Sequence, residues 1–242
     1  MQQEYDKYTS EDHQVWSILY NRMMEILPKY ATKYYLNGMG QVGFESHRIP
    51  DFKECNVKLM EITGWTIYAV PGLIANKGFF EHLMRKEFPA TTWLRKMSQL
   101  EYLEEPDMFH DVFGHIPLLS NPSFAKFLEE LAKISLKHID NEWAIELVSR
   151  LYWYTVEFGL IEEEGALKVY GAGILSSSGE TQYSIDSDIP KRLPYDIQTI
   201  FDTPYIKDKY QEQYFVIDSY EQLYTSIPEI EKLLEAALNV SA

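Results

Sequence analysis

Cysteine and long apolar runs are both nearly absent from this chain of 242 residues. Its single cysteine, Cys55, cannot form an intrachain disulfide, and that composition is typical of a reducing compartment. No apolar run approaches the roughly 18 residues that a membrane-spanning helix needs. The N-terminal sequence Met-Gln-Gln-Glu-Tyr-Asp-Lys is polar and acidic, and it lacks the apolar core of a signal peptide. We therefore expect a cytoplasmic protein.

Positive charge is also scarce, with 22 lysines and arginines against 37 aspartates and glutamates and a net charge of -15. Proteins that bind nucleic acid neutralise phosphates with clustered basic residues, and this chain shows no such cluster. An anionic membrane surface requires a similar basic patch. We therefore expect neither nucleic acid nor a membrane as a partner.

No internal repeat, low-complexity tract or long linker divides the sequence, so residues 1–242 are predicted to form a single domain. Hydrophobic residues make up 45% of the chain, which is enough for a sizeable core. Aromatic residues reach 14%, and such a composition suits a site that stacks flat ligands.

Helical periodicity dominates the chain, and short strand-like segments interrupt it. The clearest helix starts are Thr9 with Asp12, Asp51, Asn121 and Asn141, while Ser219 with Gln222 forms a second capping-box pattern. Pro28 is expected to interrupt the first helical region, and Asn37-Gly38 to close it. Strands are predicted at 65–70, 93–95, 167–170, 181–185 and 214–217, and irregular segments at 38–50, 171–180 and 191–210. The sequence thus predicts a mostly α fold with short β-strands, and its last helix, 228–239, is too short for a coiled coil.

Two histidines, His110 and His115, lie close enough in sequence to share a metal. On one continuous α-helix, five residues rotate by about 500°, so the two rings would diverge by roughly 140°. Gly114 and Pro117 are typical helix stop signals, and they predict that the helix ends near Phe113 and that the chain swings His115 back beside His110. The alternative is two ordinary histidines, one in the core and one at a helix end.

A third candidate ligand is Glu157, within the apolar and aromatic segment 151–160. A carboxylate in a buried helix is costly unless a cation or hydrogen-bond donors meet it. One alternative is a buried arginine or a tyrosine as its partner. Two histidines and one carboxylate form the facial triad of non-haem Fe(II) oxygenases, and two histidines with a glutamate also hold catalytic zinc.

Four motifs occur in order between about Trp65 and Tyr220. They are Gly-Leu-Ile near 72, Glu-Pro-Asp-x-x-His-Asp-x-x-Gly-His-x-Pro, Tyr-Trp-x-Thr-Val-Glu-Phe-Gly and Tyr-Gly-Ala-Gly-x-Leu-Ser-Ser. Together they resemble the catalytic domain of the biopterin-dependent aromatic amino acid hydroxylases, and most of all its compact bacterial members that act on phenylalanine.

The resemblance implies a helical basket with small sheets around a mononuclear iron held by His110, His115 and Glu157. It implies a monooxygenase that uses Fe(II), a tetrahydropterin and O2 to convert L-phenylalanine to L-tyrosine. Hydroxylation of tyrosine or tryptophan is the alternative within the family. A zinc hydrolase with Asp111 as its base and a non-catalytic acidic interaction module are alternatives outside it.

Matching positions imply further roles. The pterin would contact Leu73, Ile74, Phe79, Asp111 and Tyr152. The amino acid would contact Arg95, Pro106, Trp153, Phe158, Gly173 and Ser176, with the Arg95 guanidinium binding its carboxylate. Glu180 matches a carboxylate that orients a ligand histidine. Without the resemblance, Phe79 and Tyr152 would be interpreted as core residues, and Asp111 and Arg95 as solvated surface residues.

The chain also departs from the animal members of this family. It has room for neither their N-terminal regulatory domain nor their C-terminal tetramerisation helix, so a monomer or dimer is expected rather than a coiled-coil tetramer. Lys207 falls near a position that helps to distinguish phenylalanine from tyrosine, and a lysine is unexpected in an apolar ring pocket.

Overall fold

The computed structural model of the protein describes residues 1–101 and 105–240. Its helices are α1 (Ser10–Tyr30), α2 (Lys33–Val42), α3 (Phe52–Ile62), α4 (Asn76–Met84), α5 (Pro122–Lys137), α6 (Glu142–Tyr152), α7 (Ala172–Leu175), α8 (Ser178–Asp186), α9 (Ile197–Phe201), α10 (Tyr220–Thr225) and α11 (Ile227–Val240). Two π-helical segments are Phe109–His115 and Trp153–Glu157, and 3-10 turns occupy Tyr5–Lys7, Met97–Gln99 and Ile116–Ser120. The strands are β1 (Thr66–Val70), β2 (Glu87–Thr91), β3 (Leu160–Glu163), β4 (Ala166–Val169), β5 (Lys191–Pro194) and β6 (Gln213–Ile217).

Helices thus outweigh strands, as the sequence predicts, and within the described residues the strands form two small sheets. In the first sheet β1 pairs with β2 in parallel. The second has the order β4-β3-β6-β5, in which only the β3–β4 pair is antiparallel. Within the described residues, none of the helices combines the length and apolarity needed to cross a membrane.

The first π-helical segment lies in the middle of the core. Phe109, Val112 and Phe113 are fully buried, and the Trp16 ring of α1 meets both phenylalanine rings edge-on. The Tyr35 hydroxyl of α2 donates to the Phe113 carbonyl at 2.6 Å. Each large apolar side chain buried in this way contributes about 1.5–3 kcal/mol to stability. The segment that carries both histidines is therefore held from several sides.

The N-terminal helices confirm some predicted boundaries and contradict others. The Thr9–Asp12 capping box is present, and Asp51 caps α3 as expected. Pro28 does not interrupt α1, which continues to Tyr30. Helix α2 likewise continues through Asn37-Gly38 to Val42. A Cβ at Gly38 would lie only 2.1 Å from the Pro117 carbonyl oxygen, so this glycine allows close packing rather than a chain reversal.

Two predicted strands are wrong. Residues 93–95 are irregular, and the strand lies earlier, at Glu87–Thr91, where Pro89 is tolerated because β2 has only one hydrogen-bonded neighbour. Residues 181–185 belong to α8, whose N-terminus is capped by the Ser177 side chain. Segments 171–180 and 191–210, expected to be irregular, contain α7, the start of α8, β5 and α9.

Candidate metal centre

The two histidines lie on one face of a continuous π-helical segment rather than on either side of a helix end. A π-helix forms hydrogen bonds between residues five apart, so His110 and His115 come back to the same side after one wide turn. Their ring centroids are 5.1 Å apart. The predicted break near Phe113 is therefore wrong, although the predicted juxtaposition is correct.

Glu157 completes the group from the end of the second π-helical segment. Its Oε1 lies 3.2 Å from His115 Nε2, and its Oε2 lies 3.6 Å from His110 Nε2. One potential ligand atom from each of the three residues falls within 4.8 Å of the others. Burial disfavours the charge on Glu157, but His115, His110 and the Gly173 backbone N–H outweigh it and lower the pKa of Glu157. An N, N, O donor set of this kind fits a divalent transition metal.

Gly114 allows helix α7 to approach this group closely. A Cβ on Gly114 would lie 2.9 Å from the Ala172 carbonyl oxygen, so a larger residue would push α7 away. At the end of α7, the Ser176 hydroxyl donates to the Ala172 carbonyl at 2.9 Å and lies 3.0 Å from His110 Nδ1. With its proton directed to Ala172, the Ser176 oxygen is placed to accept from His110 Nδ1–H, and the tautomer that carries this proton presents Nε2 to a metal.

Among the described residues, the hydrogen bonds of Glu180 go to other partners than the ligand histidine that the resemblance implies. Its Oε1 accepts hydrogen bonds from the Gln211 backbone N–H at 3.1 Å and from the Tyr214 hydroxyl at 2.8 Å. The structure thus gives Ser176, rather than Glu180, the histidine-orienting contact. Burial raises the pKa of Glu180, although both donors oppose this shift.

This raised pKa predicts a pH-dependent stability. The folded protein holds the Glu180 proton more tightly than the unfolded chain does. The contribution of Glu180 to stability should therefore fall as pH rises above about 4.5, the ordinary pKa of a glutamate. Glu180→Gln keeps a carbonyl oxygen for both donors and cannot ionise. We expect the melting temperature of metal-free Glu180→Gln to rise relative to the wild type between pH 4.5 and neutrality. A melting-temperature difference between Glu180→Gln and the wild type that stays constant with pH would contradict a raised pKa of Glu180.

A cavity of about 200 Å³ opens on one side of the three ligands. All five residues predicted to contact a pterin line it, namely Leu73, Ile74, Phe79, Asp111 and Tyr152. Leu73 is 82% exposed, and its aliphatic side chain has no hydrogen-bonding group. The backbone of this loop is therefore the part that can offer hydrogen bonds to a ligand. Asp111 Oδ2 accepts from both the backbone N–H and the hydroxyl of Thr91 at 2.8 Å, and burial raises the pKa of Asp111 against the influence of His110. Asp111 is therefore a fixed polar group in the cavity wall.

A larger cavity of about 740 Å³ adjoins the first, since both are lined by His110 and Glu157. Its lining includes all six residues predicted to contact the amino acid, namely Arg95, Pro106, Trp153, Phe158, Gly173 and Ser176. His110 and Glu157 line both cavities. The candidate metal ligands therefore lie where the two cavities meet.

Arg95 is neither free nor at the surface, because Asp107 holds it. Its Nε and Nη2 donate to the two carboxylate oxygens at 2.9 Å each, and its backbone N–H donates to Oδ2 at 2.9 Å. Asp107 is completely buried, and its Oδ1 also accepts from the His110 backbone N–H at 3.2 Å. Within residues 1–101 and 105–240, Nη1 and the second Nη2 hydrogen of Arg95 have no hydrogen-bond partner, so they can serve a ligand carboxylate.

Sequence reasoning missed Asp107, Thr91 and Gln211. Asp107 stands inside the Glu-Pro-Asp-x-x-His motif, three residues before His110, which is the one signal that could have found it. Lys207, which looked out of place, does line the larger cavity, and its Nζ lies 5.3 Å from the centroid of the Tyr205 ring.

The fold and the site define the class of protein: a mostly helical enzyme scaffold with a mononuclear non-haem metal site of two histidines and one carboxylate. The chain belongs to the biopterin-dependent aromatic amino acid hydroxylases, whose family model matches residues 4–241. The resemblance in the sequence motifs is thereby confirmed.

Named relatives and solved structures agree with this membership. The phenylalanine-4-hydroxylase of Chromobacterium violaceum is 49% identical over 222 residues, covering 92% of this chain and 74% of that protein. The enzyme of the same name from Ralstonia nicotianae is 46% identical over 237 residues, covering 98% of this chain and 75% of that protein. A structure of the Chromobacterium violaceum enzyme with oxidised Fe(III) has a TM-score of 0.95 at 46% identity, covering 99% of this chain and 86% of that one. Its cobalt-bound form gives a TM-score of 0.93 at 46% identity, covering 97% and 86%.

Proposed function

We propose that this protein is a phenylalanine 4-hydroxylase that converts L-phenylalanine to L-tyrosine with iron, a tetrahydropterin and O2. One observation carries the proposal: His110, His115 and Glu157 lie between two cavities of different character. The smaller cavity is lined by the Phe79 ring and the Asp111 carboxylate. The larger cavity is lined by Arg95 and by the rings of Trp153 and Phe158. The relatives named above support iron and phenylalanine and do not favour a zinc hydrolase.

The three ligands would hold iron through His110 Nε2, His115 Nε2 and a Glu157 oxygen. Iron and a tetrahydropterin together supply the activation of dioxygen, with two electrons from the pterin, one oxygen atom transferred to the substrate ring and the other to the pterin. The chain's own contribution is to place both organic molecules beside the same three ligands and to hold Glu157 ionised next to the two histidines.

The smaller cavity suits the pterin. Phe79 and Tyr152 meet there edge-on with centroids 5.6 Å apart, so the face of Phe79 can stack on a flat ring. In the part of the chain that the structure describes, Asp111 accepts hydrogen bonds from Thr91 through Oδ2 alone, which leaves Oδ1 for an N–H of the pterin.

The larger cavity suits the amino acid. The Arg95 guanidinium, aligned by Asp107, can bind the carboxylate through its outer N–H groups. Trp153 and Phe158 pack with ring centroids 4.7 Å apart and offer an apolar wall for the ring. We further propose that residues 1–242 act as one catalytic domain.

A direct product assay tests this function. Iron-loaded protein is incubated separately with phenylalanine, tyrosine and tryptophan in the presence of a tetrahydropterin and oxygen, and the products are identified. We expect tyrosine from phenylalanine as the fastest reaction. Faster hydroxylation of tyrosine or tryptophan would assign the substrate to the alternative, and no hydroxylated product from any of the three would overturn the proposal.

The role of Asp111 gives a second test. Asp111→Ala should retain iron, because this side chain is not in the ligand group, but it should raise the pterin KM or uncouple pterin oxidation from tyrosine formation. Asp111→Asn is the comparison variant, since its amide oxygen can still accept from both Thr91 donors, while an NH2 group replaces Oδ1, the acceptor proposed for the pterin. Loss of iron with unchanged pterin kinetics would instead place Asp111 among the groups that support the metal.

A further inference from the structure

Gln211 is a buried amide that connects two parts of the wall of the larger cavity. Only 2% of this residue is exposed. Its Oε1 accepts from Trp153 Nε1 at 3.1 Å, and its Nε2 donates to the Ile206 carbonyl oxygen at 2.8 Å. Its backbone N–H donates to Glu180 Oε1, which also accepts from Tyr214. Every polar group of the side chain is thus directed to a specific partner.

The first of these partners, Trp153, packs against two further aromatic rings. It stacks on Tyr205 and makes a tilted contact with Phe158, with ring centroids 4.7 Å apart in each pair. Stacked rings slide and tilt over one another at small cost, because their preferred geometries are broad. A directed hydrogen bond from the indole N–H removes that freedom and sets how the ring lies in the wall.

The second partner is the chain segment from 204 to 210. Ile206 lies between Tyr205, which stacks on Trp153, and Lys207, which lines the cavity. Tyr210, at the end of the same segment, also lines it. By holding the Ile206 carbonyl, Gln211 couples the position of this segment to that of Trp153.

We propose that Gln211 is a positioning residue for the hydroxylation: it fixes Trp153 and the 204–210 segment as one wall and thereby sets which ring carbon of the substrate faces the metal. The inference rests on the proposed function. Gln211 lies behind the wall and is not among the described residues that line the cavity, so it acts through Trp153 and Ile206. The amide suits this position because its acceptor and its donor are separate atoms, so Oε1 can accept from Trp153 while Nε2 donates to Ile206.

The main test variant is Gln211→Met, which has a similar length but can neither accept well from Trp153 nor donate to Ile206. A misplacement near 1 Å can cost on the order of 100-fold in rate. We expect kcat/KM for phenylalanine to fall by about 10- to 100-fold, with pterin KM and iron content close to wild type. Tyrosine formed per pterin oxidised should fall, and hydroxylation at other ring carbons, such as the meta position, should appear.

Coupling and ring position are the decisive readouts, because a merely structural role would lower the melting temperature or the active fraction without changing either of them. Trp153→Phe keeps a stacking ring and removes the N–H. In that background, Gln211→Met should have a smaller effect than in the wild type, since the shared hydrogen bond is already lost. Fully additive effects would show that Gln211 does not act through Trp153.

If Gln211→Met does not fold, Gln211→Asn decides the question. It keeps the amide but is one methylene too short to reach both partners, so a partial loss of coupling is expected. Unchanged coupling and exclusive para hydroxylation in the folded variant would overturn the inference while leaving the proposed function intact. A wild type that makes no tyrosine in the same assay would overturn both.

Discussion

Glu157→Ala should leave a folded protein that no longer holds iron and makes no tyrosine. Loss of a group that only orients a metal ligand typically lowers metal affinity by about 10- to 100-fold, so loss of a ligand should exceed that range. Glu157 contributes the only carboxylate in the described group of three potential ligands, and no second one can replace it there. Iron per chain after dialysis against a defined chelator is the measurement, with circular dichroism to confirm folding.

His110→Ala and His115→Ala should behave in the same way, because each removes one of the two nitrogen donors. Ser176→Ala is the graded comparison, since it removes only the hydrogen bond to His110 Nδ1 and should remain within the smaller range. A variant at 110, 115 or 157 that keeps full iron content and full rate would remove that residue from the ligand set.

The three ligands could be proposed from the sequence because their residue types and positions suffice: two histidines in one motif and a glutamate in an apolar segment. The sequence did not predict how the chain brings the histidines together. A π-helical turn has no strong local sequence signal, and here the core contacts of Phe109 and Phe113 hold it in place. Gly114 therefore resembled a helix stop, whereas its role is to let α7 pack closely.

The partners of Glu180 depend on residues far along the chain. Its Oε1 accepts from Gln211 and Tyr214, and the spacing of the sequence motifs does not predict these contacts. The segment after Gly179 has the alternating pattern of a strand, yet it is helical. The local signal for this helix is Ser177-x-x-Glu180, because the Ser177 side chain caps it at the Glu180 N–H.

Arg95→Ala should raise the KM for phenylalanine by about one and a half to three and a half decades while iron content stays intact. Removing one partner of a buried, hydrogen-bonded charge pair costs on the order of 2–5 kcal/mol, which corresponds to that range. Arg95→Lys should recover only part of the loss, because an ammonium cannot form the planar fork. A uniform loss of binding appears in KM, whereas misplacement of the ring appears in kcat and in coupling.

The Arg95–Asp107 pair adds a second consequence that must be separated from the first. Without the guanidinium, the donors that remain to the fully buried Asp107 among the described residues are the backbone N–H groups at positions 95 and 110, so Arg95→Ala should also lower the melting temperature. Asp107→Asn is the matched control, because it leaves the arginine in place while weakening its alignment. Its KM effect should therefore be smaller than that of Arg95→Ala.

A phenylalanine analogue that lacks the carboxylate distinguishes direct binding from indirect disturbance. If Arg95 binds that carboxylate, the wild type and Arg95→Ala should process the analogue with nearly equal kcat/KM, since neither can make the missing contact. A difference as large as the one on phenylalanine would mean that Arg95 acts through Asp107 on the His110 segment instead. Asp107→Asn would then reproduce the loss on both compounds, and the carboxylate would have to be bound elsewhere in the larger cavity.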